Sequence, residues 1–175
     1  MSGVRGGVVM GVSGSGKTTL ARALAGAWEA TFLDADDFHS DEARELMARG
    51  EPLTDEMRQP WAAGIATELQ RRVADGARVT LAFSGLRRQH RDLLRAAGLP
   101  LQFLFLRGEA ALIGERMRGR SGHYMPVSLL DSQFATLEEP GDEDDVVVLP
   151  VDLPPDAQLR LALQVLGVPL HDHLV

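Results

Sequence analysis

The octet Gly11-Val12-Ser13-Gly14-Ser15-Gly16-Lys17-Thr18 limits what this chain can fold into more than any other stretch. It fits G-x-x-x-x-G-K-[ST], a glycine-rich loop between a buried strand and the start of a helix. Both flanks are present. Val8-Val9-Met10 is an apolar run of strand length, and Leu20, Leu24, Ala27 and Trp28 recur at helical spacing behind the loop. Glycine accepts positive φ and lets backbone N–H groups come close to an anion. The helix turns its positive end to the same point. Such a loop suits the phosphates of a nucleotide. Lys17 reaches the β- and γ-phosphates, and the Thr18 hydroxyl suits Mg2+. Gly11, Ser13, Gly14, Ser15, Gly16 and Thr19 complete the candidate ATP-binding set.

The chain has 175 residues, enough for one domain with a real core, and 45% hydrophobic residues argue against disorder. No apolar run is long enough to cross a membrane, and no apolar signal core precedes the loop strand. Cysteine is absent, which fits a cytoplasmic chain and excludes disulfide and thiolate chemistry. A net charge of −7 argues against nonspecific nucleic-acid binding. The arginines crowd between Arg71 and Arg120, where a phosphate-handling enzyme has use for them.

Strand and helix signals alternate along the chain. The helix after the loop runs to about Glu29, and Thr31-Phe32-Leu33 is a second strand ending in Asp34-Ala35-Asp36-Asp37. Ser40 caps a helix that ends near Gly50, and a longer one runs from about Glu56 to Ala74, with Pro60 tolerable only in its first turn. Arg78 to Phe83 is a third strand, followed by a basic helix from Arg87 to Ala97. Leu101 to Leu106 is a fourth strand, and helices follow at 109–118 and 127–137. Val146 to Leu149 is a fifth strand, and a last helix carries Leu159, Leu163 and Leu166. The tail from Pro169 to Val175 reads as irregular. This order implies an α/β fold, a parallel sheet with helices on both faces, with ligands at the carboxyl ends of the strands.

Three polar sites fall at those ends: the glycine-rich loop, Asp34-Ala35-Asp36, and Ser84-Gly85 with its arginines. Asp34 is the candidate water-mediated metal ligand and Asp36 the group that orients an acceptor hydroxyl or takes its proton. In an extended segment the two carboxylates point the same way. The same residues also read as an exposed turn with Asp37 or Ser40 capping the next helix. Arg116 and Arg120 lie one helical turn apart, with Gly119 and Gly122 as hinges for a lid over phosphate. A solvated basic helix end is the alternative for that pair. No histidine spacing suggests zinc, and Trp61 reads as core.

From Val8 to about Leu166 the chain resembles the small P-loop gluconokinases, relatives of shikimate kinase and the nucleoside monophosphate kinases. The resemblance rests on the loop, on Asp34-x-Asp36 with His39, and on Gly50-Glu51-Pro52-Leu53-Thr54-Asp55. It continues through Arg58-Gln59-Pro60-Trp61, Ser84-Gly85-Leu86-Arg87-Arg88, Arg91-Asp92-Leu93-Leu94-Arg95, Gly122-His123-Tyr124-Met125 and Gln133 to Pro140. It implies a P-loop NTPase fold of the nucleoside monophosphate kinase type, with a five-stranded parallel sheet. It implies one kinase domain over 1–175, an acceptor-binding helical segment at about 37–75 and a lid at about 116–127. The implied reaction is ATP plus D-gluconate giving 6-phosphogluconate, with Asp36, His39, Arg58, Arg91 and His123 at the acceptor and Lys17, Asp36 and Arg120 at the chemistry. Similar enzymes are often homodimers.

The departures lie on the acceptor side. Ala35 stands where the family usually has Gly, and Ser40, Ala43 and Leu46 replace Pro, Asn and Lys. Met57 replaces an acidic residue, Gly85-Leu86-Arg87 replaces Ala-Leu-Lys, and His90 replaces Tyr. A kinase for another small polyol or sugar acid, aldonate or shikimate-like, therefore stays open. So does a non-catalytic ATP-binding module. No Asn-Lys-x-Asp guanine motif is present.

Overall fold

The protein is described by a computed structural model over residues 3–118 and 127–169. Five strands, β1 (Gly6–Met10), β2 (Thr31–Asp34), β3 (Val79–Phe83), β4 (Leu101–Arg107) and β5 (Val146–Pro150), form one sheet in the order β2-β3-β1-β4-β5. Every pairing is parallel, with Val8 beside Leu81 and Phe103 at the centre. The helices are α1 (Lys17–Trp28), α2 (Asp41–Ala48), α3 (Asp55–Ala74), α4 (Arg88–Arg95), α5 (Ala110–Arg118), α6 (Val127–Thr136) and α7 (Pro155–Val165).

The alternation of side chains along the central strands divides the core in two. Val9, Ala82, Leu104 and Leu106 face one way and pack with Leu20, Leu24 and Trp28 of α1 and Ala162 and Leu163 of α7. Val8, Met10, Leu81, Phe83, Phe103 and Phe105 face the other way, onto Trp61, Ile65 and Leu69 of α3 and Leu94 of α4. A strand buried on both faces must be apolar throughout, which is why the strands read as unbroken runs. Thr80 meets this demand differently: it is fully buried, and its hydroxyl donates to the Ala21 carbonyl at 2.8 Å.

Sheet order fixes the site. From β1 the chain moves to the β2 edge, returns to β3, then crosses to β4 on the other side of β1. The loop after β1 thus lies where the winding reverses, at the carboxyl ends of the strands.

Local differences from the sequence expectation have physical causes. β1 begins at Gly6, ahead of the apolar run, and Arg5 before it is already tied to the sheet: its N–H donates to Pro100 O and its carbonyl accepts from the Val79 N–H, each at 2.9 Å. Pro60 lies beyond the first turn of α3, as the sixth helical residue. The carbonyl it leaves without a helical donor belongs to Glu56, on the exposed start of the helix, where water reaches it. Thr54 and Ser40 cap α3 and α2 by accepting from Met57 and Ala43 N–H, each worth about 1 kcal/mol.

Candidate active site

The glycine-rich loop runs from β1 into α1 through residues of positive φ. Gly14 sits at φ 79°, and a Cβ there would lie 2.5 Å from Met117 Cγ, so the loop fits under α5 only with glycine. Gly16 begins α1 at φ 98° with no side chain capping the helix. An anion is the natural partner for first-turn N–H groups left in this way. The Lys17 Nζ donates to Val12 O at 3.1 Å. Burial lowers the Lys17 pKa, while Asp36 and Asp34 oppose that shift and favour the ammonium. Ser15 is buried and its Oγ has no hydrogen-bond partner. Thr18 and Thr19 lie in the first turn of α1.

Asp34 is extended at the end of β2, but Asp36 does not continue that segment, contrary to the expectation from sequence. Ala35–Phe38 is a 3-10 turn, and Asp34 caps it by accepting the Asp36 N–H at 2.9 Å. The turn reading was therefore right about the backbone, with Asp34 as the cap and Ser40 capping the next helix. Burial raises the Asp34 carboxyl, against the pull of that hydrogen bond and of Lys17. The Asp36 carboxylate is mostly exposed and lies 3.6 Å from His39 Nε2. The His39 ring first, then the charges of Lys17 and Arg44, hold its pKa below the ordinary value against burial.

Asp36, His39 and Arg58 line one cavity together with Lys17 and Ser13. Its walls are Met47, Leu53, Trp61, Ser84, Leu86 and Gln133. The structure thus gathers five of the expected site residues from three separate parts of the chain. Arg58 is buried on α3 with its nearest carboxylate, Asp55, at 3.9 Å. Burial lowers its pKa, but a guanidinium stays charged at neutral pH and calls for an anion.

Arg91 does not join the cavity, and its expected contact with the acceptor is corrected. It is buried on α4, where Nε and Nη2 donate to the two carboxylate oxygens of Glu143 at 2.9 and 2.7 Å. Its Nη1 donates to the Gly85 carbonyl at 2.6 Å. These bonds commit the guanidinium to the scaffold. Burial alone would raise the Glu143 carboxyl, but Arg91 and Arg95 hold it below its ordinary value. Arg116 lies exposed on α5, the helix that covers Gly14. Arg120 and His123, and most of the expected lid, lie outside the described residues.

Trp61 and Gln133 were not assigned to the site from sequence. Trp61 is core, as expected, but it also forms a cavity wall, and its Nε1–H donates to Ala35 O at 2.7 Å. Gln133 Oε1 accepts the Ser13 N–H at 2.7 Å across 120 residues of sequence. Ala43 and Leu46 are not cavity residues, whereas Met47 is.

Among the described residues no three His, Cys, Asp or Glu side chains group as a metal cage. Mg2+ asks for one or two protein oxygens beside water and phosphate, and the Thr18 hydroxyl in the first turn of α1 and the Asp34 carboxylate at the end of β2 are donors of that kind. No helix among the described residues is long and apolar enough to cross a membrane.

Known proteins are similar to this chain in sequence and fold. The family described as an AAA domain matches residues 8–140. A gluconokinase of Gluconobacter oxydans (strain 621H) is 41% identical over 153 residues, 87% of this chain and 86% of the relative. A solved sugar kinase from Janibacter sp. HTCC2649 has a TM-score of 0.88 at 44% identity, covering 94% of this chain and 95% of that one. A solved gluconokinase from Sinorhizobium meliloti 1021 has a TM-score of 0.86 at 40% identity, covering 95% and 94%.

Proposed function

Since the chain belongs to the gluconokinase family, we propose that it transfers the γ-phosphoryl group of ATP to D-gluconate, giving 6-phosphogluconate and ADP. The observation that carries this reading is the single cavity in which phosphate-side Lys17 and Ser13 meet Asp36, His39 and the buried Arg58. The first two belong to a nucleotide loop. The others offer a base, a hydrogen-bonding ring and a forked cation, the donor set for a polyhydroxy carboxylate.

In this reading the glycine-rich loop and α1 hold the phosphates. Lys17 unfolds from Val12 O to meet the β- and γ-oxygens, and Arg116 and Arg120 add charge from the lid side. Thr18 and Asp34 hold Mg2+, which supplies charge neutralisation for the phosphates. Arg58 takes the acceptor carboxylate, and His39 and His123 hold hydroxyls. Asp36, kept ionised by His39 and Lys17, receives the proton of the attacking hydroxyl as its oxygen bonds to Pγ and the bond from Pγ to the ADP oxygen breaks. Small-molecule chemistry without disulfides suits the cytoplasm, and the family relation suits a homodimer.

The test is ADP release with Mg2+-ATP and a panel of acceptors: D-gluconate, other aldonates, shikimate and nucleoside monophosphates. Saturable turnover with gluconate well above the rest is expected. Preference for another acid would reassign the acceptor, and ATP binding without turnover of any would favour a non-catalytic module.

A further inference from the structure

Gln133 is a buried polar residue on α6, 8% exposed, that lines the cavity. Its amide has a determined orientation. A backbone N–H can only donate, so the atom 2.7 Å from Ser13 N is Oε1. The two N–H groups on Nε2 are then turned away from the loop, and no protein group takes them among the described residues. The Gln133 side chain itself is part of the cavity lining. A donor pair held in a mostly buried setting costs free energy until something accepts from it.

The groups across the cavity say what that acceptor is. Arg58 demands an anion, Asp36 sits with Lys17 at the phosphate end, and His39 stands between them on the face of Trp61. An acid with a carboxylate on Arg58 and its attacking hydroxyl at Asp36 brings intermediate hydroxyl oxygens to the remaining wall. Nε2–H is a suitable donor to such an oxygen, and the Oε1 bond to Ser13 fixes its position relative to the nucleotide loop. We propose that Gln133 is a substrate-contacting residue: its carbonyl oxygen holds the loop at Ser13 while its amide N–H donates to a hydroxyl of the bound polyhydroxy acid. Gln133 thereby couples acceptor recognition to the loop that holds the transferring phosphate. This rests on the kinase reading above.

Two variants separate the halves of the amide. Gln133→Glu keeps an acceptor for the Ser13 N–H and removes the donor. Gln133→Met removes both at similar size and adds no charge. The readouts are KM for the best acid of the panel, kcat, and ADP affinity by calorimetry. ADP is used because it lacks the γ-phosphate that a new carboxylate would repel. The expected result is a rise in acid KM of more than about fivefold in both variants, the size of one lost hydrogen bond, with ADP affinity changed by less than about threefold in Gln133→Glu and lowered further in Gln133→Met, where the Ser13 bond is lost as well. A smaller rise in acid KM, or a matched loss of ADP affinity in Gln133→Glu, would overturn the proposal and leave Gln133 as a support for the loop. These results presuppose an active parent. If the parent turns over no acid, the kinase reading itself fails, and the inference fails with it.

Discussion

The imidazole of His39 and the indole of Trp61 stack with centroids 4.6 Å apart and planes 10° from parallel, and the indole N–H is bonded to Ala35 O. One residue of α3 thus fixes both the turn that carries Asp36 and the ring beside it. Phe83 backs the indole at 5.0 Å, so the wall is a stack of three rings.

Trp61→Phe should retain the aromatic face and lose the bond to Ala35. About 1 kcal/mol of stability should go, lowering Tm by roughly 2–4 °C. Steady-state kinetics should show a several-fold higher KM for the acid with KM for ATP little changed. An effect confined to ATP would move Trp61 out of the acceptor wall.

Asp36→Asn should reduce kcat by on the order of a hundredfold or more, because the attacking hydroxyl loses its proton acceptor. ATP affinity, read by calorimetry, should change little. Equal losses in both would assign Asp36 to the architecture of the turn instead.

Arg91→Met and Arg58→Met should fail in different ways. Removing Arg91 leaves Glu143 buried with one guanidinium partner fewer and releases Gly85 O. Breaking such a pair costs about 3–5 kcal/mol, or roughly 6–20 °C in Tm at this chain length. Removing Arg58 should cost little stability, since its nearest carboxylate is 3.9 Å away, and should raise the KM for the acid. Thermal melts and kinetics on the same two samples distinguish these roles.

His90 makes stability depend on pH. It is buried on α4 with Nε2 unpartnered, facing Asp55 at 4.0 Å, with Arg58 and Arg87 adding positive charge and Glu138 negative. Burial first, then Arg58, lowers its pKa to about 4 from an ordinary 6.5. Between those values the unfolded chain binds a proton that the folded chain refuses. Stability should therefore fall as pH drops from about 6.5 toward about 4. His90→Gln should flatten that slope in a series of melts between pH 7 and pH 5. An unchanged slope would mean that His90 protonates freely in the folded state.

The fold was legible because each central strand is apolar on both faces and each helix has a clear start and stop. Ser40 is a cap in the sequence and in the structure, and the structure adds Thr54 as the cap of α3. The nucleotide loop was legible because its chemistry is local. Asp34-Ala35-Asp36 was misread as extended because the competing bond, Asp34 to the Asp36 N–H, leaves the same composition as a strand end. Arg91 looked like a ligand because its true partner lies 52 residues away in a segment that reads as an acidic loop. Gln133 falls in a stretch that carries the family resemblance, but its place in the site was not legible for the same reason, since its partner Ser13 lies 120 residues away. Ala43 and Leu46, the departures that left the acceptor open, do not line the cavity, and Met47 and Leu53 do.

The central claim is phosphoryl transfer to the acid, and product identity tests it most directly. The protein should be incubated with Mg2+-ATP and D-gluconate and the mixture followed by 31P NMR. The account predicts a phosphate monoester on the gluconate primary hydroxyl, formed in step with ADP. ADP with only inorganic phosphate, or no consumption of ATP, would contradict it.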